Sequence, residues 1–200
     1  MKNFFKLVKK STGTAKFGMV VVALWIFCAI FAPFLAPDGE NDVDITARMR
    51  PPAWEERGTA EHLLGTDEVG RDVLSRVIYG ARISFIVGLF AVVVSMLIGV
   101  TLGLLAGFFG GWVDTVIMRI VDVMLSFPFI FLALCLMAVL GSSMTNVLLV
   151  LGVTGWGPDA RTIRAQVLSV REREFVVAAR ISGARKGYII FKHILPNVID

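Results

Sequence analysis

The sequence predicts an all-α fold: a polytopic transmembrane helical bundle with about four spans. Three observations predict it. Of the 200 residues, 56% are hydrophobic and only 18% are charged, whereas a soluble domain carries about 25% charge. The apolar residues gather in long runs without charge, and the basic residues lie beside those runs. The net charge of +4 is therefore read as a topology signal rather than as a sign of nucleic-acid binding.

Runs without charge predict the membrane spans, because about 20 apolar residues cross a hydrocarbon core of roughly 30 Å. Turn-forming residues at 141–146 divide the longest run into two spans. Pro128 is expected to kink the third span, and Asp159 and Arg161 fall in the last turn of the fourth. The four predicted spans cover residues 17–36, 83–109, 116–140 and 147–163.

The first apolar run, residues 17–36, is read as a retained transmembrane helix. A basic stretch followed by an apolar one also suits a signal peptide, but the apolar part of a signal peptide spans only about 7–15 residues. The run here is longer, and prolines interrupt its end, at Pro33 and Pro37. No small-residue cleavage site without proline follows it.

Lysine and arginine counts near the span ends predict the orientation in the membrane. Residues 1–16, a basic tail, hold five lysines and no acid, and residues 161–192 hold eight basic residues against two glutamates. Residues 37–82 instead hold ten carboxylates against six arginines. The N-terminus and the segment after the fourth span are therefore predicted to be cytoplasmic, with residues 37–82 outside. An even number of spans agrees with that placement.

The predicted outer loop, residues 37–82, contains an apolar stripe formed by Val73, Leu74, Val77 and Ile78. This spacing predicts an interfacial helix that leads into the second span and that Thr66 or Asp67 could cap. A contact with solute or partner is the alternative for the same stripe. The acids at positions 38, 40, 42 and 44 are read as a solvated surface, although they could attract cations.

Three glycines of the second span, Gly99, Gly103 and Gly107, recur every four residues and so share one helix face. Small residues in this pattern allow close packing of helices in membranes. A role in gating movement is the alternative. Beyond the turn at Gly110–Gly111, Arg119 and Asp122 have the i, i+3 spacing of an ion pair.

The segment 171–197, after the fourth span, is the most informative part of the sequence. It is predicted to form a charged helix to about residue 181, a break or C-cap at Gly183, and a second helix that Pro196 stops. Two short basic helices at an angle suit docking into a groove of a soluble partner. They equally suit a face that lies on solvent or on lipid.

The same segment resembles the EAA signature of permeases of ATP-binding-cassette (ABC) importers, which reads Glu-Ala-Ala, three residues, Gly, nine residues, Ile, one residue, Leu-Pro. Ala178, Ala179, Gly183, Leu195 and Pro196 stand at the required spacing, while Val177 and His193 depart from it. Other stretches are similar to the C-type subunits of dipeptide, oligopeptide and nickel permeases. They are Leu64–Asp67, Gly70–Arg76, Tyr79–Ser84 and Gly110–Asp114 with Arg119 and Asp122.

The resemblance implies a permease subunit that moves di- or oligopeptides or a related small solute, such as glutathione or a nickel chelate, across a bacterial cytoplasmic (inner) membrane. Its partners would be two separate ATPase subunits, a second homologous permease subunit, an extracytoplasmic solute-binding protein and membrane lipid. Residues 171–197, with Glu174 and the five matching positions, would couple to the ATPase. Residues 83–200 would begin a transmembrane domain of a six-span protein, which implies a C-terminally truncated chain.

Other functional classes find less support in the sequence. It has no Gly-x4-Gly-Lys-Ser/Thr loop, so no ATP hydrolysis by this chain is expected. An ion-coupled carrier or channel subunit is the main alternative, but the ionisable residues all lie near the predicted span ends. Cys28 and Cys135 lack metal spacing, and neither His62 nor His193 lies within a span. No catalytic residue, cofactor or metal is therefore predicted.

Overall fold

The computed structural model describes residues 12–199, so most of the predicted basic tail 1–16 lies outside the described residues. Within 12–199 the chain is helical and forms no β-strand, which confirms the predicted all-α class. The elements are α1 (Gly13–Leu35), α2 (Val73–Phe109), α3 (Gly111–Leu125), α4 (Phe129–Leu140), α5 (Met144–Thr154), α6 (Trp156–Val170), α7 (Glu174–Ile181), α8 (Lys186–Tyr188) and α9 (Leu195–Ile199), with a 3-10 turn at Ile45–Ala47 and a π-helix at Ile189–Ile194.

Two helices, α1 and α2, are each long and apolar enough to cross a membrane. Helix α1 covers all but the last residue of the predicted first span, 17–36, and α2 contains the predicted second span, 83–109. Only 11% of the most apolar part of each helix is buried within the protein, as expected for surfaces that face lipid or other helices. Pro33 lies inside α1 near its end without ending the helix. Helix α2 begins at Val73, so the predicted interfacial helix is continuous with the second span.

The predicted third span, 116–140, is divided into α3 and α4, which meet at an angle of 88°. Pro128 stands immediately before α4, where its missing N–H removes no helical hydrogen bond. The sequence therefore predicted a disruption at the correct place, but the structure shows a break rather than a kink. Neither helix alone is long enough to cross a membrane, but together they could form a broken span or a re-entrant loop.

The predicted fourth span, 147–163, falls across α5 and α6, which have 11 and 15 residues and are individually too short to cross. Among the described residues, two helices or, with the bent pair, three could span by length and composition. The count of four spans and their boundaries stay a prediction.

Contacts divide the chain into two compact units at Ile86, within α2. In the first unit, the ring of Trp25 in α1 packs edge-on against Phe85, with centroids 5.6 Å apart. The loop between α1 and the start of α2 folds on itself, because residues 44–53 hydrogen-bond to residues 63–70. Its backbone bonds include Met49 N–H to Asp67 O at 3.1 Å and Thr66 N–H to Arg50 O at 3.1 Å.

Two glycines permit the close approach of the two hydrogen-bonded segments of the loop, residues 44–53 and 63–70. Gly65 and Gly70 have φ of +78° and +87°, which glycine adopts without steric cost. An added Cβ would lie 2.3 Å from Arg50 O at Gly65 and 1.8 Å from Asp44 O at Gly70. The Gly-Thr-Asp and Gly-Arg-Asp sequences of this loop thus have a structural explanation.

The start of α2 is capped differently from the prediction. Neither Thr66 nor Asp67 accepts a hydrogen bond from a backbone N–H of its first turn, although Asp67 binds the Arg76 side chain there. Instead the Asp72 carboxylate accepts a hydrogen bond from the Ser75 N–H at 2.7 Å. Thr66 Oγ1 donates to Ala47 O and accepts from the Arg50 N–H at 2.9 Å, which holds the loop together. Both candidate residues instead bind backbone groups of the loop. Their short separation from Val73 in the sequence does not indicate these contacts.

Asp67 organises the loop in its ionised form. Burial raises the pKa of Asp67, but hydrogen bonds from the Arg71 and Val69 N–H groups and from the Arg71 guanidinium outweigh it and lower the pKa from 3.8 to about 2. The Arg76 Nη1 is also 2.8 Å from this carboxylate. Because the folded pKa is the lower one, ionised Asp67 stabilises the loop above about pH 4, and this stabilisation is lost as the pH falls towards 2.

We therefore expect Asp67→Asn to make the loop more susceptible to pepsin than the unsubstituted loop at pH 4, with the difference vanishing near pH 2. Cleavage within residues 44–72 would be followed by mass spectrometry. Glu56→Gln alters an exposed acid of the same loop and is the matched control. Equal cleavage of the two variants at pH 4 would contradict the stabilising role.

In the second unit, α6 packs against both α2 and α3. One apolar cluster joins Val121 of α3 to Trp156 and Ala160 of α6, and the other joins Leu104 of α2 to Val167 and Val170 of α6. On the α2 side the three spaced glycines lie against α6. An added Cβ would lie 2.7 Å from Asp159 Cβ at Gly99, from Ala160 O at Gly103 and from Val167 Cβ at Gly107.

Candidate functional site

The segment from Glu174 to Ile199 folds onto the second unit as a bent helical layer. Helix α7 begins at Glu174 after an extended Arg173 and ends at Ile181. Gly183, with φ of +76°, follows its C-cap. The Ala184 N–H donates to Ala179 O and the Gly183 N–H to Arg180 O, each at 3.1 Å. These are the two bonds of a Schellman motif, so the predicted break at Gly183 is confirmed.

The inner face of the segment is apolar and buried. Val176, Ile189, Ile190, Ile194 and Val198 join the cluster that contains Leu104 of α2 and Val167 of α6. Each of these five side chains is at most 8% exposed. Burying five such side chains stabilises the attachment by several kcal/mol, at about 1.5–3 kcal/mol each as an upper estimate. A force on the segment would therefore be transmitted to α2 and α6.

The outer face carries large apolar side chains among basic ones. Ile181, Tyr188 and Phe191 are 82%, 55% and 70% exposed. The exposed cations of the segment are Arg180, Arg185, Lys186 and Lys192, and the exposed Arg173 directly precedes it. Among the described residues nothing covers this face. Exposed apolar groups rimmed by charge are typical of an interaction surface for protein or membrane.

The predicted coupling residues divide between the two faces. Glu174, Ala178, Gly183 and Pro196 are exposed, whereas Ala179 and Leu195 are half-buried and pack against the inner cluster. The i, i+3, i+4, i+7 spacing in the sequence predicts one shared helix side for Phe175, Ala178, Ala179 and Ser182. In the structure Ala179 faces inwards with Val176, while the other three are exposed. Val177, at the position of the glutamate in the EAA signature, is also exposed.

Pro196 does not stop the second helix, contrary to the prediction. The π-helix at Ile189–Ile194 precedes it, and the Leu195 N–H bonds to Ile190 O, five residues back. Pro196 is then the second residue of α9, within the first turn, where helical N–H groups have no partner. The wider π turn accommodates the proline and lets the chain continue as helix to Ile199.

Arg171 is a positioning residue that the sequence analysis did not identify. Its Nη1 donates to Gly107 O at 2.8 Å, at the C-terminal end of α2, and its Nε is 3.0 Å from Glu172 Oε1. A cation near the last carbonyls of a helix is favourable. Lys186 adds a second link, with Nζ 5.7 Å from the Phe109 ring centre. Both contacts join residues more than 60 positions apart, so no local signal marks them.

The three charged side chains of α6 all have partners, including Asp159 and Arg161, which were predicted to lie in the last turn of the fourth span. Asp159 accepts a hydrogen bond from Ser95 Oγ at 3.0 Å, and Arg161 Nη2 lies 2.5 Å from Asp122 Oδ1. Arg164 binds Asp114 through both carboxylate oxygens. The predicted Arg119–Asp122 pair is therefore replaced by Arg161–Asp122, because α6 packs along α3. Ionisable groups within membrane bundles commonly pair in this way.

Comparison with known proteins agrees with these features. Residues 99–200 match the family described as "Binding-protein-dependent transport system inner membrane component", and residues 10–52 match the "N-terminal TM domain of oligopeptide transport permease C". The first match covers the glycine-bearing part of α2 and continues through the bent segment. Together the two matches leave out residues 53–98, which contain most of the folded loop.

Three relatives illustrate the similarity. The dipeptide transport system permease protein DppC of Alkalihalophilus pseudofirmus is 42% identical over 96% of this chain and 61% of its own length. The di/tripeptide transport system permease protein DppC of Pseudomonas aeruginosa is 39% identical over 98% of this chain and 65% of its own length. The glutathione transport system permease protein GsiD of Pectobacterium atrosepticum is 41% identical over 90% and 58%.

The chain thus spans about three fifths to two thirds of the length of these relatives. The similarity nevertheless extends through both units, and one family match alone covers half of the chain. The chain belongs to the family of inner-membrane components of binding-protein-dependent transport systems, and it is a multi-pass membrane protein.

Proposed function

We propose that this chain is a permease subunit of an ABC importer that carries di- or oligopeptides, or a related small solute such as glutathione, across the cytoplasmic membrane. The names of its relatives support the substrate class. Its partners would be separate ATPase subunits, a second permease subunit and an extracytoplasmic solute-binding protein. The N-terminus and the segment Glu174–Ile199 would face the cytosol.

The observation that carries this proposal is the two-sided construction of that segment. Its inner face is fixed to α2 and α6 by buried isoleucine and valine side chains, while its outer face is apolar, basic and uncovered among the described residues. A partner that binds the outer face and moves would move α2 and α6 with it, and α2 is long enough to cross the membrane. Glu174, Ala178, Gly183 and Pro196 would meet the ATPase, and Ala179 and Leu195 would anchor the segment.

Small residues suit the corner of such a docking surface. Gly183 has no atom within 4 Å of an added Cβ, so nothing in this chain fills the space beside it. The exposed Ala178 lies one turn earlier. A partner could therefore approach the backbone of the turn closely, as helix-in-groove recognition requires.

The test is co-purification and transport with the subunits that assemble with the chain. We expect an ATPase to co-purify, and uptake of labelled dipeptide into vesicles to require ATP inside. Uptake driven by an ion gradient without ATP would instead indicate the ion-coupled carrier.

A cysteine at Ser182 should react with impermeant reagent only from the cytosolic side, and one at Glu56 only from outside. The opposite labelling pattern would overturn the proposed orientation.

A further inference from the structure

Three side chains that can ligate a metal ion converge in the loop between α1 and α2. Asp38 follows α1, His62 lies in the middle of the loop, and Asp72 directly precedes α2. His62 Nδ1 is 3.2 Å from Asp72 Oδ1 and 3.7 Å from Asp38 Oδ2. All three donor atoms lie within 4.8 Å of one another. The group thus joins segments that are widely separated in sequence.

The distances suit coordination of one small divalent cation. Zinc bonds of about 2.0–2.2 Å in a tetrahedral site place neighbouring ligand atoms about 3.4 Å apart. The two measured separations, 3.2 and 3.7 Å, lie on either side of this value. A small rotation of the half-exposed Asp38 carboxylate would close the third edge. Three protein ligands leave a fourth position open.

The charge balance of the group also favours a cation. The Asp72 side chain is fully buried and that of His62 is 13% exposed. Among residues 12–199, the ion pairs of Asp38 and Asp72 involve only His62, while the nearby Arg71 and Arg76 pair with Asp67. A buried carboxylate is costly unless it is compensated. The adjoining cavity, of about 330 Å³, is lined by further acids at positions 42, 44 and 61.

Surrounding hydrogen bonds orient the carboxylates. Asp72 Oδ2 accepts from the Ser75 N–H at 2.7 Å, which leaves Oδ1 facing His62. Ser75 Oγ accepts from the Asp38 N–H at 3.0 Å and so holds the backbone of the first ligand beside the third. Ser75 is completely buried. Such outer contacts characterise metal sites, where they fix the orientation of the ligands.

We propose that Asp38, His62 and Asp72 form a binding site for a divalent transition-metal ion, with Zn²⁺ as the representative ion. An imidazole with carboxylates suits zinc better than magnesium or calcium, which prefer oxygen ligands alone. The ion would tie the end of α1 and the loop to the start of α2. The proposal does not rest on the transport function, because all three ligands lie in the first unit, whereas Glu174–Ile199 belongs to the second.

The test uses the full chain, purified in detergent without a histidine tag, stripped with a chelator and titrated with Zn²⁺ against a chromophoric chelator. We expect one Zn²⁺ per chain, with Mg²⁺ unable to displace it at equal concentration. His62→Gln and Asp38→Asn should each weaken binding at least about tenfold. Glu61→Gln, on the same cavity, and His193→Gln, at the only other histidine, should bind as the unsubstituted chain does.

Asp38→Asn keeps the test valid even if His62→Gln does not fold. The Asp38 side chain is 41% exposed, and its backbone bond to Ser75 does not depend on the carboxylate. Zn²⁺ should raise the unfolding temperature of the unsubstituted chain and of Glu61→Gln, but not that of Asp38→Asn. Stoichiometric binding that is unchanged in Asp38→Asn, or the absence of binding below about 1 mM Zn²⁺, would overturn the proposal.

Discussion

Replacing Gly183 with tryptophan is expected to lower ATP-driven uptake at least about tenfold while leaving membrane insertion intact. A loss of only ~1.4 kcal/mol in a docking equilibrium is enough for that factor. The turn at Gly183 is exposed, and an added Cβ there meets no described atom of this chain within 4 Å. The bulk of tryptophan would therefore obstruct a partner rather than the fold. Uptake and ATP hydrolysis would be measured in the same vesicles, and hydrolysis without uptake would show uncoupling.

The matched control is Gly183→Asn, which separates bulk from backbone strain. Gly183 has φ of +76°, and a residue with a Cβ pays about 1–2 kcal/mol there, although asparagine tolerates this conformation better than most. Asparagine should therefore retain most of the uptake. Normal uptake by Gly183→Trp would remove the turn from the docking surface. An equal loss in both variants would attribute the effect to strain in the Schellman motif instead.

Replacing Gly103 with leucine is expected to destabilise the second unit by about 1–3 kcal/mol or more, as overpacking of a well-packed contact does. An added Cβ at Gly103 would lie 2.7 Å from Ala160 O and 2.8 Å from Ile163 Cβ. The first of these atoms belongs to the backbone of α6, so the two helices would have to separate. Fluorescence-detected size-exclusion chromatography after heating would measure the loss of folded protein.

Gly88→Leu is the control for this substitution, because Gly88 lies on the same helix and an added Cβ there meets nothing within 4 Å. Leucine has a higher helix propensity than glycine by up to about 1 kcal/mol, so this variant should be at least as stable as the unsubstituted chain. Equal stability of the Gly88 and Gly103 variants would show that the close approach of α2 and α6 is not required.

The features predicted well from sequence are those that depend on nearby residues. The apolar runs locate α1 and α2, since a helix that crosses the membrane needs about 20 consecutive apolar residues. The turn at Gly183 is also local, because a left-handed residue and two hydrogen bonds within six residues define it. Pro128 likewise marks the break between α3 and α4, although the angle of 88° depends on what each helix packs against.

The errors concern the choice of partner. Asp122 was paired with Arg119 on its own helix but binds Arg161 of α6. Thr66 or Asp67 was the candidate for the cap of α2, but both bind backbone groups of the loop, and Asp72 caps the helix instead. Pro196 was expected to end a helix, yet a π turn supported by buried Ile190 and Ile194 precedes it. In each case a remote contact outweighed a local preference.

The sequence by itself determined that the protein lies in a membrane, that it is helical and to which family it belongs. Composition and short motifs decide these features, and both are properties of the chain alone. Only the tertiary structure decided which charges pair, which face of Glu174–Ile199 is buried, and that Asp38, His62 and Asp72 meet. Those outcomes depend on how helices and loops distant in sequence pack together, and neither hydropathy nor residue spacing records that packing.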